Sequence, residues 1–390
     1  MADPTIPTLD RSERPRHAEP ARRTPAINGA SSRTLPIAHP TPPHLALPEP
    51  VATRHTSSRD SGPLPTRRSQ RRYQTVVGIL LGLAVLFSVG VLAWDNPMPL
   101  GSEGFWTIAR LRATSLAVIA VVAFCQALAT VAFQSVTNNR IITPGIMGFE
   151  SLYRVIHTVV IFGLGVAGAT IVQGAGAFLL QVAAMMAFAA LLYGWLLSGR
   201  YGNLQVMLLV GIILGAGLGT FATLLQRMLS PDEFDVLTAR MVGSIANADP
   251  SYLPWAVPLV AAAGAVLWWR APNLNVMALG KDTAVNLGVA HRRETMIVLL
   301  LVSVLMATST ALVGPMTFLG FLVAMIAYQL ADTHDHRHLL PVAWLTGFVV
   351  LAGAYFTLKH LFYAAGSVSV IIEVVGGGFF LLYVLRKGRL

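Results

Sequence analysis

A single cysteine, Cys125, stands in 390 residues, so no disulfide can form within the chain, and its place in an apolar run reads as a small packing residue. Charge is nearly as scarce. Charged side chains make up 12% of the sequence against 54% hydrophobic ones, with a mean hydropathy of +0.62. That balance excludes the two or three soluble domains that the length alone would suggest. Acidic groups are few, 18 against 28 basic, but the formal charge of +10 does not mark a nucleic-acid-binding domain. Residues 1–72 hold 12 of the basic and 6 of the acidic groups, which leaves only +4 on the other 318 residues. A phosphate loop is lacking too: before and after Gly280-Lys281, Asn275 stands where the first Gly belongs and Asp282 where Ser or Thr belongs. The chain is therefore not itself an ATPase of the Walker type. Gly163-Leu-Gly165-Val-Ala-Gly168 spells a dinucleotide fingerprint, but it lies inside an apolar run and reads as small residues that let helices approach closely. No nucleophile stands at a workable spacing from a base or metal triad, which argues against a membrane-embedded enzyme.

What the sequence does contain is a tail followed by long apolar runs. Residues 1–72 carry 13 of the 23 prolines and no periodic apolar pattern, so this segment is expected to be disordered, with 73–390 as the membrane domain. From 76 onward ten stretches approach the ~20 apolar residues needed to cross a bilayer. They run near 76–94, 113–133, 147–168, 176–197, 204–228, 252–269, 294–313, 316–331, 341–358 and 368–385, the eighth and tenth being short or broken by Gly and Pro. The fold class expected is an all-α integral membrane protein with about ten transmembrane helices. With the N-terminus inside, Arg140, Arg200, Arg270, Lys281, Arg292, Arg293, Arg337, Arg386, Lys387 and Arg389 flank the spans on the cytoplasmic side. Only Arg110, Arg112, Arg227, Arg240 and Lys359 lie outside, among an acidic group of Asp95, Glu103, Asp232, Glu233, Asp235 and Asp249. This asymmetry puts both termini in the cytoplasm. Arg67, Arg68, Arg71 and Arg72 before the first span serve as a topology anchor and face membrane lipid.

Several polar residues invite a chemical reading. Asp332, His334, Asp335, His336 and His338 are metal-ligand types at alternate spacing, yet a polar turn between two spans uses the same residues, and no metal site is expected. Glu150 and Arg154, four apart at the start of the third span, are expected to pair along one helix face near its cytoplasmic end, with His157 beyond them. Gly211, Gly215, Gly217 and Gly219 in the fifth span suit either tight helix contact or a pore wall free of bulky side chains.

After the sixth span, residues 273–288 are too polar for the membrane and read as two short helices broken at Gly280 and ended at Gly288. Here the chain resembles the permease subunits of bacterial ABC importers for iron chelates and vitamin B12, in the iron-siderophore branch. Four other stretches carry the same resemblance: Thr137 to Tyr153, Ser309 to Gly320, Asp335 to Pro341 and Gly376 to Tyr383. It spans about residues 76–390 and leaves the tail outside.

The resemblance implies a plasma-membrane permease that passes an iron-siderophore complex, with no cofactor bound by this chain and ATP used by partner subunits. Those partners would be two ABC ATPase subunits, a second permease, identical or paralogous, and an extracytoplasmic siderophore-binding protein; no nucleic acid is implied. It also implies roles by position. Leu279, Gly280, Asp282, Ala284, Leu287 and Gly288 would lie in the ATPase contact, on a cytoplasmic coupling loop. Asn139, Ile141, Asn203, Leu204 and Gln205 would form the inner gate. Arg110 and Arg112 would meet the binding protein, although Ala113 stands where the family's second Arg usually does, and Arg112 reads equally well as an interfacial arginine. The competing expectation is a proton- or ion-coupled secondary transporter, which would need an intramembrane relay drawn from Glu150, His157 and Glu373.

Overall fold

Inside hydrocarbon every backbone N–H and C=O must find a partner within the protein, and a helix does this within one segment. The computed structural model describes residues 62–99, 101–198, 204–245, 248–362 and 367–387, and among them there is no strand. Fourteen α-helices follow in chain order. The first seven are α1 (Arg67–Ala93), α2 (Glu103–Thr137), α3 (Phe149–Leu164), α4 (Gly168–Ile171), α5 (Ala175–Ser198), α6 (Leu204–Gln226) and α7 (Pro231–Met241). The others are α8 (Leu253–Trp269), α9 (Ala271–Met277), α10 (Lys281–Asn286), α11 (His291–Val313), α12 (Leu319–Ala331), α13 (His336–His360) and α14 (Val368–Lys387). Eight helical segments are long and apolar enough to cross a membrane. The shorter apolar helices Leu319–Ala331 and Val368–Leu382 coincide with the eighth and tenth runs of the sequence, roughly consistent with the ten spans expected.

The first span starts earlier than the tail boundary drawn at residue 72. Thr66 and Ser69 form a reciprocal capping box, the Thr66 hydroxyl accepting from the Ser69 N–H at 3.1 Å and the Ser69 hydroxyl from the Thr66 N–H at 3.2 Å. These bonds satisfy the Thr66 and Ser69 N–H groups at the start of α1. Arg67 to Arg72 thus belong to α1 rather than to the tail, and residues 1–61 lie outside the described residues.

α2 and α11 form the centre, each with 72% of its most apolar window buried, whereas α1 buries 17% and turns Ile79, Leu81, Val85 and Leu86 outward. α2 is apolar all round, as a helix surrounded by others must be. It packs on α11, α13, α8, α12 and α1. Gln126 donates to Ser309 at 3.1 Å, a buried bond tying α2 to α11 where water cannot compete.

Two spans are interrupted. After α2 ends at Asn138 in the left-handed conformation, the chain runs without α-helix to a short 3₁₀ turn, Pro144–Met147, and α3 begins only after Gly148. There Gly148, at φ +100°, meets Gly215 of α6, eleven residues and so about 16 Å along that helix from Leu204. A methyl group on Gly215 would come within 3.0 Å of the Gly148 Cα. Gly211 packs on Met147 in the same row, and Gly219 is nearest Ser151, while Gly217 has open space. The alternative left open by the sequence is thereby decided for Gly211 and Gly215: they serve tight contact with α3. The second interruption is Gly314 to Phe318, between α11 and α12. The Gly163 to Gly168 stretch makes a helix end, not a contact between spans. Gly165 has φ +66°, a 3₁₀ turn follows, and Gly168 folds back against the Val160 carbonyl of the same span.

Candidate functional site

The two short helices expected after the sixth span are α9 and α10. Gly280 turns between them at φ +99°, ψ 163°, a conformation that side chains disfavour, and Gly288 ends the unit at φ +83°. Leu279, Val285 and Leu287 are exposed, 61%, 54% and 60%, among the exposed polar residues Lys281, Asp282, Thr283 and Asn286. Asp282 and Gly288 are also exposed and Gly280 half-buried, whereas Ala284 is fully buried and seats α10 on the bundle. Of the six residues expected at an ATPase contact, Ala284 therefore faces the wrong way for direct contact. Val285, which the family pattern did not mark, sits beside the others.

The loop is anchored at both ends of α9. Arg270 places one guanidinium nitrogen 2.5 and 2.6 Å from the two oxygens of Glu294 in the first turn of α11. Asn275 donates to Asp335 and accepts from the His336 N–H, each at 2.9 Å. The His ring stands between Asn275 at 2.5 Å and Ser135 of α2 at 2.6 Å. His338 meets the other Asp335 oxygen at 3.0 Å, and Asp332 pairs with Arg72. In this polar turn, which competed with a metal site, His336 and His338 are engaged by protein partners and His334 is exposed. Partial burial works against the Asp335 charge, but hydrogen bonds from Asn275, the Arg337 N–H and His338 outweigh it and hold the carboxyl below the usual aspartate range.

Beside the loop, a cavity of about 1440 Å³ is lined by Thr137 and Asn138 at the end of α2, Leu204 and Gln205 at the start of α6, and Gly280, Lys281 and Val285. It brings two of the expected gate residues, Leu204 and Gln205, together with the loop of α9 and α10. Asn139 and Ile141 do not line it. Asn139 accepts from the Ile141 N–H at 2.9 Å in a local turn, and the Ile141 side chain is 51% exposed. Asn203 lies outside the described residues. Asn138, adjacent to the expected position, is the residue that the left-handed end of α2 turns toward the cavity.

At the opposite end of the bundle the two arginines differ. Arg110 is exposed and makes no hydrogen bond or ion pair with any described residue. Arg112 donates to four carbonyls at the end of α1, those of Val91, Leu92, Trp94 and Asp95, at 3.3, 3.5, 2.7 and 3.0 Å. Its charge closes a helix terminus that would otherwise present unsatisfied acceptors. α7, which packs on α3, is capped by Ser230, and the Glu233 carboxylate in its first turn is held below its usual range by the Ser230 N–H and hydroxyl.

Inside the bundle, the expected Glu150 and Arg154 pair is not formed. Arg154 points outward, and the buried Glu150 accepts from Thr317 at 2.7 Å. The reason is the interruption before α3: Glu150 stands at the depth of Gly148 and Gly215, where the second interruption passes, and not at a membrane face. His157 lies buried in a cavity of about 520 Å³ with Tyr153, Gln181, Arg240, Asp249 and Tyr252.

Residues 75–387 match the FecCD transport family. The petrobactin import system permease protein FatC of Bacillus anthracis is 46% identical over 336 residues, 86% of this chain and 95% of that protein. The petrobactin import system permease protein YclO of Bacillus subtilis is 32% identical, covering 83% of this chain and 99% of that protein. The ferric enterobactin permease FepD of Escherichia coli is 30% identical over 67% of this chain and 77% of that protein. Among solved structures, a metal-chelate type ABC transporter in an inward-facing conformation shares the fold, with a TM-score of 0.69 at 21% identity, covering 80% of this chain and 99% of that one.

Proposed function

The chain belongs to the FecCD transport family, a multi-pass membrane permease subunit of an ABC importer and not itself the hydrolysing enzyme, and from that premise we propose how it works and on what. The substrate is an iron-siderophore complex, the class that the relatives' names point to with petrobactin and ferric enterobactin, carried across the bacterial plasma membrane. Iron stays within its chelate, so the chain supplies no metal ligands and binds no cofactor. An ABC ATPase docks on the cytoplasmic loop of α9 and α10, an extracytoplasmic binding protein delivers the complex at Arg110, and a second permease, identical or paralogous, completes the pathway. Both termini are cytoplasmic.

The observation that carries this reading is the exposed apolar trio Leu279, Val285 and Leu287 on a short, glycine-turned surface helix. Apolar side chains held out on a polar face cost solvation unless a partner covers them. Beside them the chain end of α2 and the start of α6 close around the 1440 Å³ cavity, which suits a gate that opens when the loop is displaced.

The test is reconstitution in liposomes with a cognate ATPase and binding protein. Uptake of radiolabelled ferric siderophore is expected to require both ATP and the binding protein. Uptake that persists without ATP and collapses with the proton gradient overturns the proposal in favour of a secondary transporter. Leu287→Asp is expected to abolish copurification of the ATPase while leaving the permease folded, whereas Ala284→Asp would unseat α10 itself.

A further inference from the structure

Resting on the assignment of α9 and α10 as the ATPase-facing loop, we infer that Asn275, His336 and Ser135 form a buried strut that carries displacement of the loop to the gate end of α2.

The donor and acceptor arrangement leaves little freedom. The Asn275 oxygen receives the His336 N–H, and its nitrogen donates to Asp335, so a flipped amide would set hydrogen against hydrogen. Because that oxygen also faces His336 Nδ1 at 2.5 Å, Nδ1 carries a proton and donates to it. The other ring nitrogen, Nε2, accepts from the Ser135 hydroxyl at 2.6 Å, whose one hydrogen is shared with the Val131 carbonyl at 2.8 Å in the preceding turn of α2. His336 is 2% exposed, and all three of its polar nitrogens are engaged. Asn275 grips the first turn of α13 twice, through His336 and through Asp335, whose same oxygen caps that helix at Arg337.

Ser135 lies three residues before Asn138, which lines the cavity. The segment beyond is tied to the same turn of α2. Gln134 donates to the Arg140 carbonyl at 2.8 Å and accepts from the Asn139 N–H at 3.1 Å, and the Arg140 guanidinium stacks over Tyr328 at 4.7 Å. Apolar contacts slide under load, but a short hydrogen-bond chain with His336 and Ser135 buried and Asn275 half-buried does not lengthen without breaking. The other anchor of α9, Arg270 to Glu294, leads only to α11. The strut is thus the direct polar link between the loop and the end of α2. Its members are positioning residues, since none touches substrate or nucleotide.

The experiment uses the reconstituted complex with a cysteine reporter, Ile141→Cys, the native Cys125 being fully buried. In the unaltered strut, nucleotide is expected to change the labelling rate at position 141. His336→Ala and Ser135→Ala, made separately, are each expected to keep ATPase copurification and hydrolysis within about twofold while uptake falls about tenfold, and the nucleotide response of the label is expected to vanish. A purely structural role would lower assembly and uptake together, with the surviving complexes still responding to nucleotide. That result, or uptake within about twofold in both variants, overturns the strut. Should His336→Ala not accumulate, Ser135→Ala removes the same link with a far smaller change of volume and decides alone. Failure of the underlying assignment is distinguishable, because the complex with the strut intact would then lack ATP-dependent uptake and copurifying ATPase.

Discussion

Arg110 and Arg112 stand two residues apart on one helix and are the same chemical type, yet their surroundings give them different work. Arg112→Ala leaves four carbonyls at the end of α1 without their charged donor and is expected to destabilise the permease by about 2 kcal/mol, read as a lower melting temperature in detergent. Arg110→Glu is expected to leave that temperature unchanged and to cut binding-protein-dependent uptake; the reverse pattern would exchange their roles. The sequence marked both as candidates because it shows residue type and spacing, while the partner of Arg112 is a set of backbone carbonyls some twenty residues earlier. The same limit hid Val285 and placed Ala284 in a contact: a six-residue helix has too few turns for its buried side to be read from periodicity. Asp335 allows a pH test at this scale. Its carboxyl is held low in the folded chain, so its contribution is complete above the unfolded value and is lost as pH falls through the folded one. Thermal stability should therefore gain nothing from Asp335→Asn at neutral pH, and the stability advantage of the native chain should narrow only below about pH 4.

Among the elements, the long helices were legible because a bilayer permits few alternatives to a run of apolar residues. The interruptions were harder. Thr143-Pro-Gly and Gly314-Pro are visible breakers, but their meeting at Glu150 and Thr317 joins segments 167 residues apart, and no local pattern encodes that. Reading α3 as a span that began at the membrane face put Glu150 beside Arg154, whereas the extended stretch before it sets the carboxylate deep in the bundle. The close passage of Gly148 and Gly215 holds that stretch in place. Gly215→Val is expected to force α3 and α6 apart and cost about 1–3 kcal/mol, because the obstacle is backbone and cannot rotate away. Gly217→Ala, two residues on with open space around it, should be neutral or slightly stabilising. Equal losses at both positions, measured by thermal unfolding in detergent, would overturn the Gly148 contact as the reason for glycine at 215.

For the whole molecule, the distribution of charge decides what each end can bind. One end gathers the coupling loop with Arg140, Arg270, Lys281, Arg292, Arg293 and Arg337, and the other carries Asp95, Glu103, Asp232, Glu233, Asp235 and Asp249. Moving a cluster of arginines through hydrocarbon costs more than retaining it at the side of synthesis, which supports the proposed placement of the basic end in the cytoplasm. In the proposed orientation the loop lies where nucleotide is available, and a loop on the outer side would make the apolar trio useless to an ATPase. Single cysteines test this directly. Leu279→Cys should react with a membrane-impermeant maleimide only in inside-out vesicles, and Glu103→Cys only in right-side-out ones, with Cys125 silent in both because it is buried. The inverse labelling would turn the bundle over. The Arg110 site would then face ATP and the α9–α10 loop the binding protein, and neither surface would have the chemistry for its partner.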